Sequence, residues 1–337
     1  SYGSGGGQIL RTAVGLSALT GKPCRIENIR AKRGNPGLRE QHLQAISAVN
    51  SLVEGKLEGA ELGSNMVTFY PSEKLSNRSK AKRLSANIST AGSIGLVLQA
   101  LLIPGTQFPS LDIEITGGAT WGKWAPPVNY IQNVFCPLVA KLGYLVNLSI
   151  LKDGFYPKGG AQVKVRAKKA QFIPLRLTDP GEVRSIRGVS VASVSLREQK
   201  VAERQRDAAE QKLVGYFKLR PYIDAKYVST ICPGSGIQLW LSCANTILGA
   251  NALGERGKRA ETVGEEAARN LITEYESDGA IDSYATDQVL PYLALAGGEI
   301  KVNKITEHCK TNIWVIEKFL PVEFKIQEKT ILCTSRI

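Results

Sequence analysis

Two histidines, a basic loop and a glycine-rich opening are the parts of this sequence that could do chemistry. His308 stands in Thr306-Glu307-His308-Cys309-Lys310-Thr311-Asn312, at a predicted strand-to-helix junction. An imidazole there is neutral and basic near pH 7, so it can attack phosphorus or act as a general base. A lone loop histidine is more often a structural residue. Cys309 is the neighbouring alternative nucleophile, with Lys310 beside it to favour a thiolate. Spacing alone assigns no Ser/His/Asp triad.

Arg30, Lys32 and Arg33 precede a Pro36-Gly37 turn, and Gln41 and His42 follow within about one helical turn. Guanidinium forks suit phosphate oxygens because they donate two parallel bonds in fixed geometry; the alternative is a solvated basic turn. Gly3-Ser4-Gly5-Gly6-Gly7-Gln8 runs straight into a helical pattern, where backbone can approach a phosphate closely; taken alone, it reads more readily as a flexible terminus. A dinucleotide fingerprint would need glycine where Gln8 stands, and no Gly-x-x-x-x-Gly-Lys-Ser/Thr occurs, so a P-loop is excluded.

The elements that must position these residues recur in one order. Helix Gln8 to Leu19, strand Cys24 to Ile29, helix Leu38 to Val53 and a hairpin around Leu57 to Leu62 and Met66 to Tyr70 come first. Strand Leu84 to Ile88, helix Ser93 to Leu102, strand Leu111 to Ile115, helix Val128 to Leu142 and hairpin Val146 to Val165 follow. A third set starts at strand Phe172 to Leu177 and resumes with helix Thr286 to Ala296, strand Glu299 to Ile305, helix Asn312 to Phe319 and hairpin Val322 to Ile337. The order suggests an α/β protein of three sheet-plus-two-helix layers on one core, residues 1–187 plus 275–337. Residues 188–274 read as an inserted small domain, with helices Leu196 to Phe217 and Thr262 to Tyr275 and strands Tyr227 to Ile231 and Ile237 to Cys243. The loops Arg30 to Gly37, Gly117 to Pro127 and Thr306 to Thr311 fall at equivalent places, so they are expected on one side.

The 337 residues carry 43 basic against 30 acidic side chains, a net charge of +13 that favours a polyanionic partner. The longest apolar run, Ile94 to Ile103, is interrupted by Gln99 and stopped by Pro104, well short of the ~20 residues of a membrane span. Six dispersed cysteines and two histidines make a zinc protein improbable. No charged-then-apolar leader opens the sequence, which leads us to expect a cytoplasmic protein.

Taken together, the motifs resemble those of the RNA 3′-terminal phosphate cyclases. They are Gly5-Gly6-Gly7-Gln8-Ile9-Leu10-Arg11, Ile29-Arg30-Ala31 through Arg33, Pro36-Gly37-Leu38, Gln41-His42-Leu43, and Ala91-Gly92-Ser93 through Leu96-Val97-Leu98-Gln99. Ala125-Pro126-Pro127, Gly154-Phe155-Tyr156-Pro157 through Gly159-Gly160, Tyr284 with Asp287-Gln288, and His308 with Thr311-Asn312 continue the family order.

The resemblance implies three βαβαββ-type units, similar to the C-terminal domain of a translation initiation factor, interrupted by a thioredoxin-like insert. It implies an ATP-dependent conversion of an RNA 3′-phosphate into a 2′,3′-cyclic phosphodiester, with release of AMP and pyrophosphate. By the same carry-over, His308 becomes covalently adenylylated, and Arg11, Arg30, Arg33 and Gln41 hold phosphates. Gln99, Tyr284, Ala285, Thr286, Asp287 and Gln288 hold the nucleotide. Mg²⁺ or Mn²⁺ is expected with the triphosphate, but its ligands stay unassigned: the family usually has glutamate where this chain has Ser4, and a hydroxyl is a weaker ligand for a hard cation. A non-catalytic ribosome-assembly relative and an enolpyruvate transferase of similar unit fold are the rival readings, and a homodimer is neither required nor excluded.

Overall fold

The computed structural model describes residues 7–31, 34–72, 79–123 and 125–336, so Ser4 and Arg33 lie outside the described residues. Helix α1 (Gly7–Thr20), strand β1 (Cys24–Ile26), helix α2 (Glu40–Val53) and the strands β2 (Lys56–Glu58) and β3 (Val67–Tyr70) come first. Strand β4 (Lys82–Ser93), helix α3 (Ile94–Gly105) and strand β5 (Ser110–Ala119) follow. A continuous helical stretch then comprises α4 (Val128–Tyr130), a π-helical segment Ile131–Phe135 and α5 (Cys136–Lys141). Strands β6 (Val146–Lys152), β7 (Gln162–Lys168) and β8 (Leu175–Leu177) come next. They are followed by β9 (Val183–Ser193), α6 (Val201–Phe217), β10 (Tyr222–Val228), β11 (Ser235–Cys243), β12 (Ile247–Leu253) and α7 (Ala260–Glu276). The chain closes with α8 (Ala285–Ala296), β13 (Gly298–Lys301), α9 (Glu307–Phe319), β14 (Val322–Gln327) and β15 (Thr330–Ser335).

The result is a mixed α/β fold built from several small sheets. One four-stranded sheet has the order β4-β5-β7-β6 and another the order β8-β13-β15-β14. In each, the first pair is parallel and the other pairs antiparallel. The antiparallel sheet β1-β3-β2 matches their last three strands. Helix α3 explains why these sheets share one core: Ile94, Leu96, Val97, Leu98, Leu101 and Leu102 leave it apolar all round and buried all round, with Gln99 as its one partly exposed side chain. Helices α1 and α2 pack on it, and α1 also packs on α9.

A further four-stranded sheet has the order β10-β9-β11-β12, with β9 and β10 parallel. Helices α6 and α7 cover one face, burying Leu213, Val263 and Leu271 against Ile223, Leu239 and Leu241. No described helix is long and apolar enough to cross a membrane.

Several sequence expectations are corrected. The helix expected from Asn312 starts at Glu307, because Thr306 caps it by accepting from the Cys309 amide at 3.0 Å. Its polar first turn hid it from apolar periodicity, and His308 is helical, not in a loop. The strand expected at Tyr227 to Ile231 runs over β10 instead, an edge strand carrying Asp224 and Lys226 that breaks simple alternation. Strands β9 and β12 were not anticipated. In β12 the small residue Gly249 is required by packing, since a Cβ there would lie 2.6 Å from Val134 and 2.8 Å from Tyr130. The helix expected from Leu196 begins at Val201, after a 3-10 turn at Val194–Leu196. Helix α3 runs on through Pro104 to Gly105, although the proline has no N–H to give to the Ala100 carbonyl. Gly117 to Ala119, expected in a loop, extend β5.

Candidate active site

A cleft of about 840 Å³ lies where α1, α2, α3, α8 and the start of α9 meet. One residue or more from each of the three loop regions reaches it: Arg30, Pro126, and Thr306 with His308. Gln8, Arg11, Gln41, Gln99, Tyr284, Asp287 and Gln288 complete its polar lining, with His42, Ser283 and Lys304. The cleft therefore gathers every sequence-expected site residue that is described except Ala285 and Thr286. Those two are buried within α8 and do not line the cleft; their amides donate to Asp282, at 2.8 Å to its carboxylate and 3.0 Å to its carbonyl.

The floor is held by a buried polar chain. Gln8 Nε2 donates to Asp287 Oδ2, Asn312 Nδ2 donates to the Asp287 carbonyl at 2.8 Å, and Thr12 Oγ1 donates to Asn312 Oδ1 at 2.9 Å. The motif positions Gln8, Asp287 and Asn312, far apart in sequence, are thereby fixed to one another. Burial pushes the Asp287 carboxyl up to about 6, against the opposing pull of Gln8 and Arg11. Burial also lowers Arg11 to about 10, with Asp287 pulling the other way, so the guanidinium remains cationic at neutral pH. Arg11 Nε is enclosed with no hydrogen-bond partner among the described residues, a donor left for an incoming oxygen. Gln288 donates to the Tyr284 carbonyl at 2.8 Å and leaves its own Oε1 unpartnered.

The two histidines differ. His42 Nδ1 accepts the Arg39 amide at 3.1 Å, which puts the neutral ring's proton on Nε2. Burial, then Arg11, Arg30 and Arg39, lower its pKa to about 4. Gly7 makes room for it, since a Cβ at that position would sit 2.1 Å from His42 Nε2. His308 is exposed at the second position of α9, where free helix N–H groups favour an anion. Cys309 is fully buried and its thiol is pushed up to about 12, chiefly by burial, so the thiolate alternative does not hold.

Tyr284 forms the rim: it is 44% exposed and stands edge-on to Tyr130 with ring centroids 5.9 Å apart. Behind it, Asp282 is fully buried and accepts from Tyr130 Oη at 2.6 Å, from the Tyr284 and Ala285 amides at 2.9 and 2.8 Å, and from the Gly249 amide at 2.9 Å. Sequence reasoning missed this residue, as well as Lys304 and Ser283, because nothing in its local pattern marks a carboxylate that joins the start of α8 to β12. Among the described residues a metal held by the protein alone finds no cage. Among the described residues no three His, Cys, Asp or Glu side chains cluster, and Asp287 is the single carboxylate lining the cleft.

A family model described as RNA 3′-terminal phosphate cyclase matches residues 2–326. A Thermococcus onnurineus protein named RNA 3′-terminal phosphate cyclase is 44% identical over 328 residues, covering 97% of this chain and 94% of its own length. Proteins of the same name from Pyrococcus furiosus and Methanopyrus kandleri are 44% and 43% identical, covering 97% and 98% of this chain and 94% of each relative.

Proposed function

This chain belongs to the RNA 3′-terminal phosphate cyclase family, and from that premise we propose that its cleft converts an RNA 3′-phosphate into a 2′,3′-cyclic phosphodiester at the expense of ATP. The observation that carries the mechanism is the contrast between the two histidines: His308 is exposed at a helix start within a cationic cleft, whereas His42 is buried with Nδ1 engaged.

In this reading the His308 imidazole attacks the α-phosphorus of ATP. The bond to the β-phosphate breaks, pyrophosphate leaves, and a phosphoramidate to AMP remains. An oxygen of the RNA 3′-phosphate then takes the AMP and frees the imidazole. The vicinal 2′-hydroxyl attacks the 3′-phosphorus, the proton passes to solvent or a nearby base, and AMP departs with its bridging oxygen. Capping with AMP turns a poor leaving oxygen into a phosphate, and splitting the transfer replaces one hard step by easier ones. Arg11, Arg30 and Lys304, with the α9 amides, offset the charge that builds up at phosphorus. Tyr284 and Gln288 at the rim, with Gln99 on the opposite wall, are positioned for the nucleoside. Mg²⁺ or Mn²⁺ would travel with the triphosphate and screen its charge, with Asp287 as the one carboxylate that lines the cleft among the described residues.

The matching sheet orders support a fold of three βαβαββ-type units, the first without its leading strand among the described residues. The order β10-β9-β11-β12 with two covering helices supports a thioredoxin-like insert over 188–274, its first strand reaching back to Val183. Incubation with α-labelled ATP followed by denaturing electrophoresis tests the function. An acid-labile adduct in the native chain and none in His308→Ala is the expected outcome; label that survives in the variant rejects His308 as the nucleophile.

A further inference from the structure

The insert's sheet is covered by α6 and α7 on one face only. On the other, Val189 and Val191 pack against Trp121 and Phe155 of the core, and Gly249 abuts Tyr130 and Val134. Toward the β10 edge this cover ends and a cavity of about 210 Å³ opens between the sheet and α4. Strand register places Tyr222 opposite Arg187 and Arg187 opposite Trp240, so the three side chains form one row across three strands at spacings of about 4.8 Å. Tyr222 is 73% exposed. Lys226 and Asp224 line the same cavity, and neither Arg187 nor Lys226 makes an ion pair among the described residues. From the facing wall comes Asn129, only 3% exposed, whose Oδ1 has no hydrogen-bond partner.

We propose that this row is a stacking platform for single-stranded RNA upstream of the reacting 3′ end. Aromatic rings flanking a guanidinium offer π-faces to bases and a cation to the intervening phosphate. The buried Asn129 oxygen lacks a donor, which a base amine or a ribose 2′-hydroxyl supplies. Asp224 repels phosphate at its own position and accepts from the same kinds of donor. The segment that carries Asn129 also reaches the cleft. Pro126 lines the cleft, Asn129 lies three residues beyond it, and Tyr130 stands edge-on to the rim residue Tyr284. A protein partner would find cations between the aromatics here in place of a continuous apolar patch.

The inference rests on RNA being the substrate, and its test separates the two ideas. Fluorescence anisotropy on the full chain compares a 3′-phosphorylated trinucleotide with a 12-mer, beside AMP-adduct formation. Tyr222→Ala should weaken the 12-mer by about fivefold or more, with Tyr222→Trp restoring it, while trinucleotide affinity and adduct yield stay unchanged. Arg187→Ala should flatten the log–log salt slope for the 12-mer by about 0.7. An unchanged 12-mer affinity in the folded Tyr222→Ala, Arg187→Ala double variant overturns the platform, and so does an equal loss for both RNA lengths. A native chain that binds the 12-mer through Tyr222 yet forms no AMP adduct upholds the platform and rejects the cyclase reading.

Discussion

The two walls of the cleft are built differently. On the α1/α2 wall, Arg11 is partly buried, His42 is buried with Nδ1 tied to the Arg39 amide, and Gly7 is small because His42 needs the room. On the α8/α9 wall, Tyr284, Lys304 and His308 are exposed. One wall has spent its freedom on fixed charge and shape, and the other keeps groups that a substrate can reach. Preorganised charge acts best when it does not have to move, and a nucleophile acts only if it can be approached. Two residues of one type thus serve opposite ends.

The largest expected effect comes from exchanging those roles. His308→Ala should remove AMP-adduct formation below detection, whereas His42→Asn should retain it at a reduced level, as read from α-labelled ATP in a time course. Equal adduct in both variants, or its loss only at position 42, would reverse the assignment of the walls.

Next comes the fixed cation. Arg11→Met keeps the length of the side chain and removes the guanidinium, and should slow adduct formation by about 10²–10³-fold, the scale for deleting one preorganised donor at a developing charge. Arg11→Lys should fall between, having charge without the planar fork. Single-turnover rates at saturating ATP measure this. A loss under about threefold for Arg11→Met would mean that the buried wall shapes the cleft without stabilising the reaction.

What was legible in the sequence came from both walls. Arg11, Arg30, Gln41, Gln99, Asp287 and His308 were named from motifs, and all line one cleft. Apolar periodicity found the long elements, because α2 and α3 bury continuous apolar faces. It failed where burial is secured by small or polar residues. Strand β12 relies on Gly249, Ala250 and Ala252, and the first turn of α9 is Glu307, His308, Cys309 and Lys310. Asp282 was illegible for another reason: its partners Tyr130, Gly249, Tyr284 and Ala285 come from three places in the chain, and only the folded chain brings them together.

That carboxylate supports the exposed wall from behind, so its removal tests whether the wall stands independently of the insert. Asp282→Ala leaves several buried donors without an acceptor and should cost about 3 kcal/mol of stability in urea unfolding. Asp282→Asn can still accept at one oxygen and should cost less. A variant as stable as the native chain would show that Tyr130 and the three amides find other partners.

The smallest expected effect belongs to the buried wall and concerns pH. The unfolded imidazole titrates near 6.5 and folded His42 near 4, held down by burial and by Arg11, Arg30 and Arg39. As pH falls through this window the unfolded chain takes up a proton that the native chain refuses. Stability from neutral His42 is therefore fully present above about pH 6.5 and declines toward pH 4. Protonation would also remove the Nδ1 acceptor of the Arg39 amide. Between pH 7 and pH 5 the loss should be about 2 kcal/mol. In His42→Asn an amide oxygen can keep the bond to Arg39 and nothing titrates, so stability should fall less over the same interval while the remaining groups contribute equally to both proteins. Urea unfolding of the pair at pH 7, 6 and 5 measures the difference. Parallel stability curves would show that His42 accepts its proton as readily when folded as when unfolded, and that this wall is not fixed in the neutral state.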